Sequence, residues 1–191
     1  TSAPDSLARR SAQTALLRVA RTLVKLMAPV LSFTAEEAWK ILDADRASRP
    51  DHTIFTTVYE PLPGLADGDL LVARWDRLRA LRAEVMRRLE DVRTEGKIGA
   101  ALQAEVVLHA SGDDYAVLQS LGDDLKFVLI VSQAQVVQGT GELRVDITPT
   151  NRLKCARCWH WRADVGANAD HPEICGRCVS NLFGSGEQRS K

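Results

Sequence analysis

All four cysteines of this 191-residue chain lie in two C-x-x-C pairs, Cys155/Cys158 and Cys175/Cys178, separated by sixteen residues. A C-x-x-C turn offers two thiolates to one ion, and a tetrahedral zinc takes four such ligands. Turn formers in the intervening stretch, among them Gly166, Asn168, Asp170 and Pro172, allow a short loop to bring the pairs together. Gly176, inside the second pair, is expected to supply a positive backbone angle. Two disulfides would require an oxidising compartment, which nothing in the sequence supports. A thioredoxin-like redox site needs one such motif on a strand-to-helix turn, not two in a loop-rich region. His160 and His171 are close enough in sequence to compete as ligands, but the symmetry of the pairs favours four sulfurs. Zinc with four thiolates carries a net charge of about minus two. Lys154, Arg157 and Arg177 are placed to offset it. No ligand position is left for water, so the expected site is structural, and roughly thirty residues need the metal to fold.

The chain as a whole is ordinary for a domain with a buried core, with 45% hydrophobic and 26% charged residues. Formal net charge is zero, which excludes a uniformly basic polyanion binder. Locally the balance alternates: residues 1–30, 72–97 and 151–191 are rich in Lys and Arg, whereas 31–71 and 98–150 are acidic. An anionic partner is expected to meet only the basic blocks. No apolar run is long enough to span a membrane, and no basic-then-apolar leader opens the sequence. The missing initiator Met suggests a fragment of a longer protein.

The fold class expected is mainly α with a small α+β unit. Residues 5–28 read as a helix capped by Asp5 or Ser6, with Leu16, Val19, Ala20, Leu23 and Met27 as its apolar face. Arg10, Arg18, Arg21 and Lys25 fall within roughly 80° of arc along one edge. That edge is either a solvated surface or a phosphate-binding stripe. After Pro29, Thr34 and Glu37 suggest a capping box with Phe33 as a staple, starting a helix over about 35–43 that buries Trp39. Residues 44–68 read as a connection, with Ile54–Tyr59 extended. A long helix is expected over 69–95, seamed by Leu71, Trp75, Leu78, Val85, Leu89 and Val92, with Leu81 filling the gap at Arg82. Glu84 and Arg88 form an i,i+4 pair, Gly96 closes the helix, and its arginines are read as ordinary solvation in preference to an RNA surface. Strands are expected at 102–109, 127–137 and 142–148, with a short helix at 113–121. His52 and His109 stand isolated, with no ligand partner, and read as structural or solvent-exposed, and residues 184–191 read as disordered. The partition is 1–66 helical, 67–150 long helix and α+β unit, 151–184 zinc finger and 185–191 tail.

Three stretches resemble the end of bacterial isoleucyl-tRNA synthetases. Met27 to Trp39, MAPVLSFTAEEAW, is similar to the anticodon-binding helical domain of the class I enzymes for isoleucine, valine and leucine, which usually carry Pro where Ser32 stands. Leu81 to Val85 and Ile98 to Val106 are similar to the helix and strand that follow that domain. Lys154 to Trp161 with Cys175 to Cys178 resembles the C-terminal zinc finger of the bacterial isoleucine enzyme. The resemblance implies a tRNA-binding part that positions isoleucine tRNA for ATP-dependent aminoacylation. The ATP-binding signatures of the class are absent, so the catalysis is expected in another part of the polypeptide. It also implies a cytoplasmic monomer, one structural zinc on Cys155, Cys158, Cys175 and Cys178, and partnership with the rest of the synthetase rather than a membrane. Candidate tRNA contacts are Arg10, Arg18, Arg21 and Lys25 on the first helix and Arg157, Arg162 and Arg177 around the zinc. Trp161 is the expected base-stacking residue, with Trp159 packed over the metal. The alternatives are a zinc-finger DNA-binding module, since formamidopyrimidine-DNA glycosylases end in a related finger, and a protein-interaction module.

Overall fold

The computed structural model describes residues 2–43, 52–59, 61 and 64–187, which form two compact units. One comprises the chain up to Pro63 together with the residues from Ser180 onward; the other is Gly64–Val179. By spatial contact, therefore, the long helix, the α+β unit and the cysteine region belong together.

In the first unit α1 (Leu7–Met27) begins at Ser6, whose hydroxyl accepts the Arg9 N–H. The chain turns at once into α2 (Ser32–Leu42), because the Leu31 N–H closes back on the Met27 carbonyl and the Ser32 hydroxyl donates to the Ala28 carbonyl. This early restart places Thr34 inside the helix. The expected capping box does not form, and Phe33, 88% exposed, is no staple. Val24, Ala28, Ala35, Trp39 and Ile54 make the unit's core. The buried line on α1 is thus rotated from the expected face, and Leu16, Val19 and Leu23 are exposed. Ile54–Thr56 is a 3-10 turn, not an extended stretch. The Glu36 carboxylate accepts from both the Thr53 hydroxyl and the Ile54 N–H at 2.9 Å, curling the backbone there. His52 is not isolated: its ring stacks on Trp39 and its Nε2 lies 3.3 Å from the Asp43 carboxylate. The prolines expected to punctuate the connection at 50 and 63 lie outside the described residues.

The second unit is built on α3 (Gly68–Thr94). Leu78, Leu81, Val85 and Leu89 are buried at spacings of three and four, whereas Leu71 and Trp75 remain exposed. At its end the Gly96 N–H bonds the Arg93 carbonyl and the Lys97 N–H reaches the Val92 carbonyl. Such a double closure needs a left-handed residue, and Gly96 supplies it at φ 74°. Arg82 interrupts the seam because its guanidinium reaches the Val128 carbonyl at 2.9 Å.

A three-stranded sheet faces this helix, ordered β2 (Gln133–Gln138), β1 (Ala104–Ala110), β3 (Arg144–Pro149), with β1 parallel to β2 and antiparallel to β3. In β1 alternate residues Ala104, Val106, Leu108 and Ala110 point into the core, as a strand half covered by helices requires. The connection from β1 carries α4 (Gly112–Gln119) and α5 (Leu125–Leu129). The expected strand over 127–137 therefore begins only at Gln133. The stretch Leu125–Leu129, apolar except for Lys126, is helical and stops at Ile130, whose φ of 56° is left-handed. A short apolar run carries no periodicity that separates helix from strand. His109 on β1 is not isolated either, lying 2.9 Å from the Asp146 carboxylate on β3.

Candidate metal centre and nucleic-acid interface

The two cysteine pairs are carried by different devices. The first sits in the bend of a hairpin, β4 (Leu153–Lys154) against β5 (Trp161–Arg162), with Leu153 opposite Arg162 and Lys154 opposite Trp161. The Cys155 N–H bonds the His160 carbonyl and the Trp159 N–H bonds the Cys155 carbonyl, curling the four residues so that both sulfurs face one way. The left-handed residue of this knuckle is Trp159, at φ 65°. The second pair lies at the start of α6 (Gly176–Phe183). Gly176 does not have the positive φ expected of it. A Cβ there would come within 2.9 Å of the Asp164 carboxylate, which accepts the Gly176 N–H at 2.9 Å and would have to shift.

The four Sγ atoms of Cys155, Cys158, Cys175 and Cys178 lie within 4.8 Å of one another. Two edges of the cluster, Cys155–Cys178 and Cys158–Cys175, measure 3.7 and 3.8 Å. Four sulfurs at the usual zinc distance form a tetrahedron with edges of about 3.8 Å. The donor set and its size therefore fit one zinc ion held by four thiolates, a closed structural site.

The surroundings favour thiolate at Cys155 and Cys175 and the thiol at Cys158 and Cys178. The Cys175 N–H donates to the Cys155 sulfur at 3.3 Å, and the Arg157 guanidinium lies 3.7 Å from the Cys178 sulfur. The hydrogen bond from Cys158 brings the Cys175 thiol down to about 5, against the effect of burial. The same contact, helped by burial, pushes Cys158 up. Burial raises Cys155, but backbone N–H groups of Cys158, Cys175 and Arg157 outweigh it and hold it below the ordinary thiol value. Burial keeps Cys178 high despite Arg157.

Among the described residues neither histidine joins the cluster. His160 has Nδ1 3.1 Å from the Cys158 carbonyl and packs its ring edgewise on Phe127 at 5.2 Å. Burial lowers its pKa, so the ring is neutral and Nδ1–H donates to that carbonyl.

The candidate RNA contacts separate into several groups. Arg10 and Arg18 are exposed on α1. Arg21 is tied to Asp43 at 3.0 Å, and the Lys25 ammonium donates to the Val58 carbonyl at 2.9 Å while lying over the Trp39 ring. Around the cysteines, Arg157 serves the sulfur and Arg177 stacks on Phe127 at 5.0 Å. Arg162 lies 3.7 Å from Asp164. It lines a cavity of about 380 Å³ with Lys126 and Arg152, and each of those pairs with an acid, Asp123 or Glu105.

The two tryptophans exchange the environments expected of them. Trp161 is half-buried in β5 and its backbone N–H donates to the Ser132 hydroxyl at 2.7 Å. Trp159 is 60% exposed, with the Lys154 ammonium 5.8 Å from its ring centroid. The left-handed backbone at 159 takes this residue out of the extended geometry in which the two indoles would share a face. Sequence spacing carries no sign of that reversal.

Comparison with known proteins agrees with this geometry. Residues 152–181 match the zinc finger found in FPG and IleRS, and the range contains all four cysteines. The chain is 65% identical to the isoleucine–tRNA ligase of Bordetella petrii and 54% identical to that of Cupriavidus taiwanensis. Each alignment covers 100% of this chain and 20% of the relative, so the chain spans about one fifth of the length of the curated relatives it matches. Residues 1–108 of the 191 match the anticodon-binding domain of tRNA ligase, a match that the DNA-repair and interaction-module readings do not account for, and the chain belongs to that family.

Proposed function

We propose that the chain is the tRNA-binding C-terminal part of an isoleucine–tRNA ligase, positioning isoleucine tRNA for ATP-dependent aminoacylation carried out elsewhere in a longer polypeptide. The observation that carries this reading is one chain combining an anticodon-binding match over 1–108 with a four-thiol cluster inside a zinc-finger match over 152–181. Identity with isoleucine–tRNA ligases along the entire chain supports isoleucine over valine or leucine tRNA. Cys155, Cys158, Cys175 and Cys178 hold one structural zinc, and catalysis involves none of the residues present. The protein acts as a monomer in the cytoplasm, where thiols stay reduced.

Within this reading the phosphate contacts on α1 are Arg10 and Arg18, whose exposure supports them over Arg21 and Lys25. Arg157, Arg162 and Arg177 act chiefly by neutralising and packing the metal unit. Trp159, not Trp161, is the stacking platform for an unpaired base, because its ring is accessible and backed by a cation. Charge reversal of Arg10 and Arg18 together should weaken tRNA binding and lower the salt slope by roughly 1.5 to 2, two phosphate contacts' worth. Trp159→Ala should weaken binding with zinc retained. Unchanged affinity in both variants would reject this assignment of contacts.

A further inference from the structure

Asn181 is 3% exposed and its side-chain carbonyl accepts two backbone N–H groups, those of Ala3 and Glu187, each at 3.1 Å. These belong to the segment before α1 and the segment after α6, and both lie in the first unit. Its amide Nδ2 is buried and makes no hydrogen bond among the described residues. Two further features close the same junction. The Gly186 N–H donates to the Ser180 carbonyl at 3.0 Å, with Gly186 at φ 83°. A Cβ on Gly186 would stand 2.6 Å from the Ala3 Cβ. The Ala3 carbonyl in turn accepts from the Ser6 hydroxyl at 2.9 Å, and Ser6 caps α1. A continuous path of bonds thus runs from α6 to the first turn of α1. The expected disordered tail is ordered over 185–187 for this reason; 188–191 lie outside the described residues.

We propose that Asn181 is a positioning residue for tRNA binding, a clasp that uses one buried carbonyl to fasten the segment after α6 to the segment that starts α1. This rests on the proposed tRNA-binding function. Asn181 lies in the last turns of α6, within the same unit as the two segments it joins. What the clasp requires at 181 is an acceptor with two lone pairs. The donor half of the amide is unused. A carboxylate can therefore replace the amide, since two N–H donors favour its ionised form. An isosteric hydrocarbon cannot.

The test uses the zinc-loaded full chain and compares Asn181→Leu with Asn181→Asp. In Asn181→Leu, hydrogen exchange at the Ala3 and Glu187 amides should accelerate about 30-fold, the equivalent of two modest hydrogen bonds. Zinc content should stay at one per chain and affinity for isoleucine tRNA should fall severalfold. Asn181→Asp should match the parent in exchange and affinity, and Gly186→Ala should resemble Asn181→Leu. Unchanged exchange in Asn181→Leu, or an Asn181→Asp variant as loose as Asn181→Leu, would overturn the clasp. Loss of zinc from Asn181→Leu would reduce the residue to a part of the metal fold, and intact tRNA affinity beside lost protection would overturn its positioning role. If the parent chain itself binds no tRNA, the functional reading fails while the exchange data still decide the clasp.

Discussion

Removing the metal should unfold the cysteine region and leave the rest of the second unit standing. Among the described residues the apolar side chains packed against the four sulfurs are Val165 and Ile174, both half-buried. Each contributes at most about 3 kcal/mol. Ordering the backbone costs about 1–2 kcal/mol per residue. Over a region of this length those two side chains fall far short. Zinc held by four thiolates contributes roughly 10–16 kcal/mol, which makes the metal the dominant stabilising element of this region. The core of Leu78, Val85, Leu108, Leu118 and Leu129 contains no cysteine. Hydrogen exchange followed during chelator titration, with zinc release read in parallel, should therefore show two responses. Amides within 152–179 should lose protection in step with released zinc, while those of β1 and the middle of α3 keep theirs. Retained protection in 152–179 after full release would refute the reasoning, and so would simultaneous loss in β1.

Other expectations follow from the packing. Leu108→Ala removes a fully buried side chain from the central strand and should cost about 2–5 kcal/mol in urea unfolding; a loss below 1 would mean the core relaxes around the cavity. The Arg77 guanidinium, bonded to Asp114 and attracting its charge, holds that carboxyl below the usual range. A depressed pKa gives stability that is present above the unfolded carboxyl value and lost as pH falls through the folded one. Asp114→Asn should thus cost no more than about 1 kcal/mol at neutral pH, because Arg77 is half exposed and screened, and should cost nothing in strong acid. Gly96→Ala forces a side chain into a left-handed position and should lower stability by about 1–2 kcal/mol in thermal melts.

How much was legible from sequence differs by element, for physical reasons. The metal centre was legible because ligand spacing is a local property, and the three-and-four spacing of Leu78, Leu81, Val85 and Leu89 marked α3 in the same way. The start of α2 was misread, because the turn after α1 is closed by the Leu31 N–H and the Ser32 hydroxyl, backbone-directed bonds that compete with the Thr34–Glu37 pattern. Residues 127–129 of α5 fall in the expected strand, since Phe127, Val128 and Leu129 are too short a run for periodicity to decide. The side chains of Arg21 and Lys25 shared an edge with Arg10 and Arg18 in projection. Only the fold shows Asp43 and Val58 occupying the first two. The environments of Trp159 and Trp161 depended on one left-handed residue, and a non-glycine with positive φ leaves no compositional trace.

The most direct test of the central claim is a binding titration of the zinc-loaded chain with isoleucine tRNA, an unrelated tRNA and duplex DNA at two salt concentrations. Tighter binding of isoleucine tRNA, weakening steeply as salt rises, is the predicted result. Equal or absent binding of all three, or preference for the DNA duplex, would contradict it.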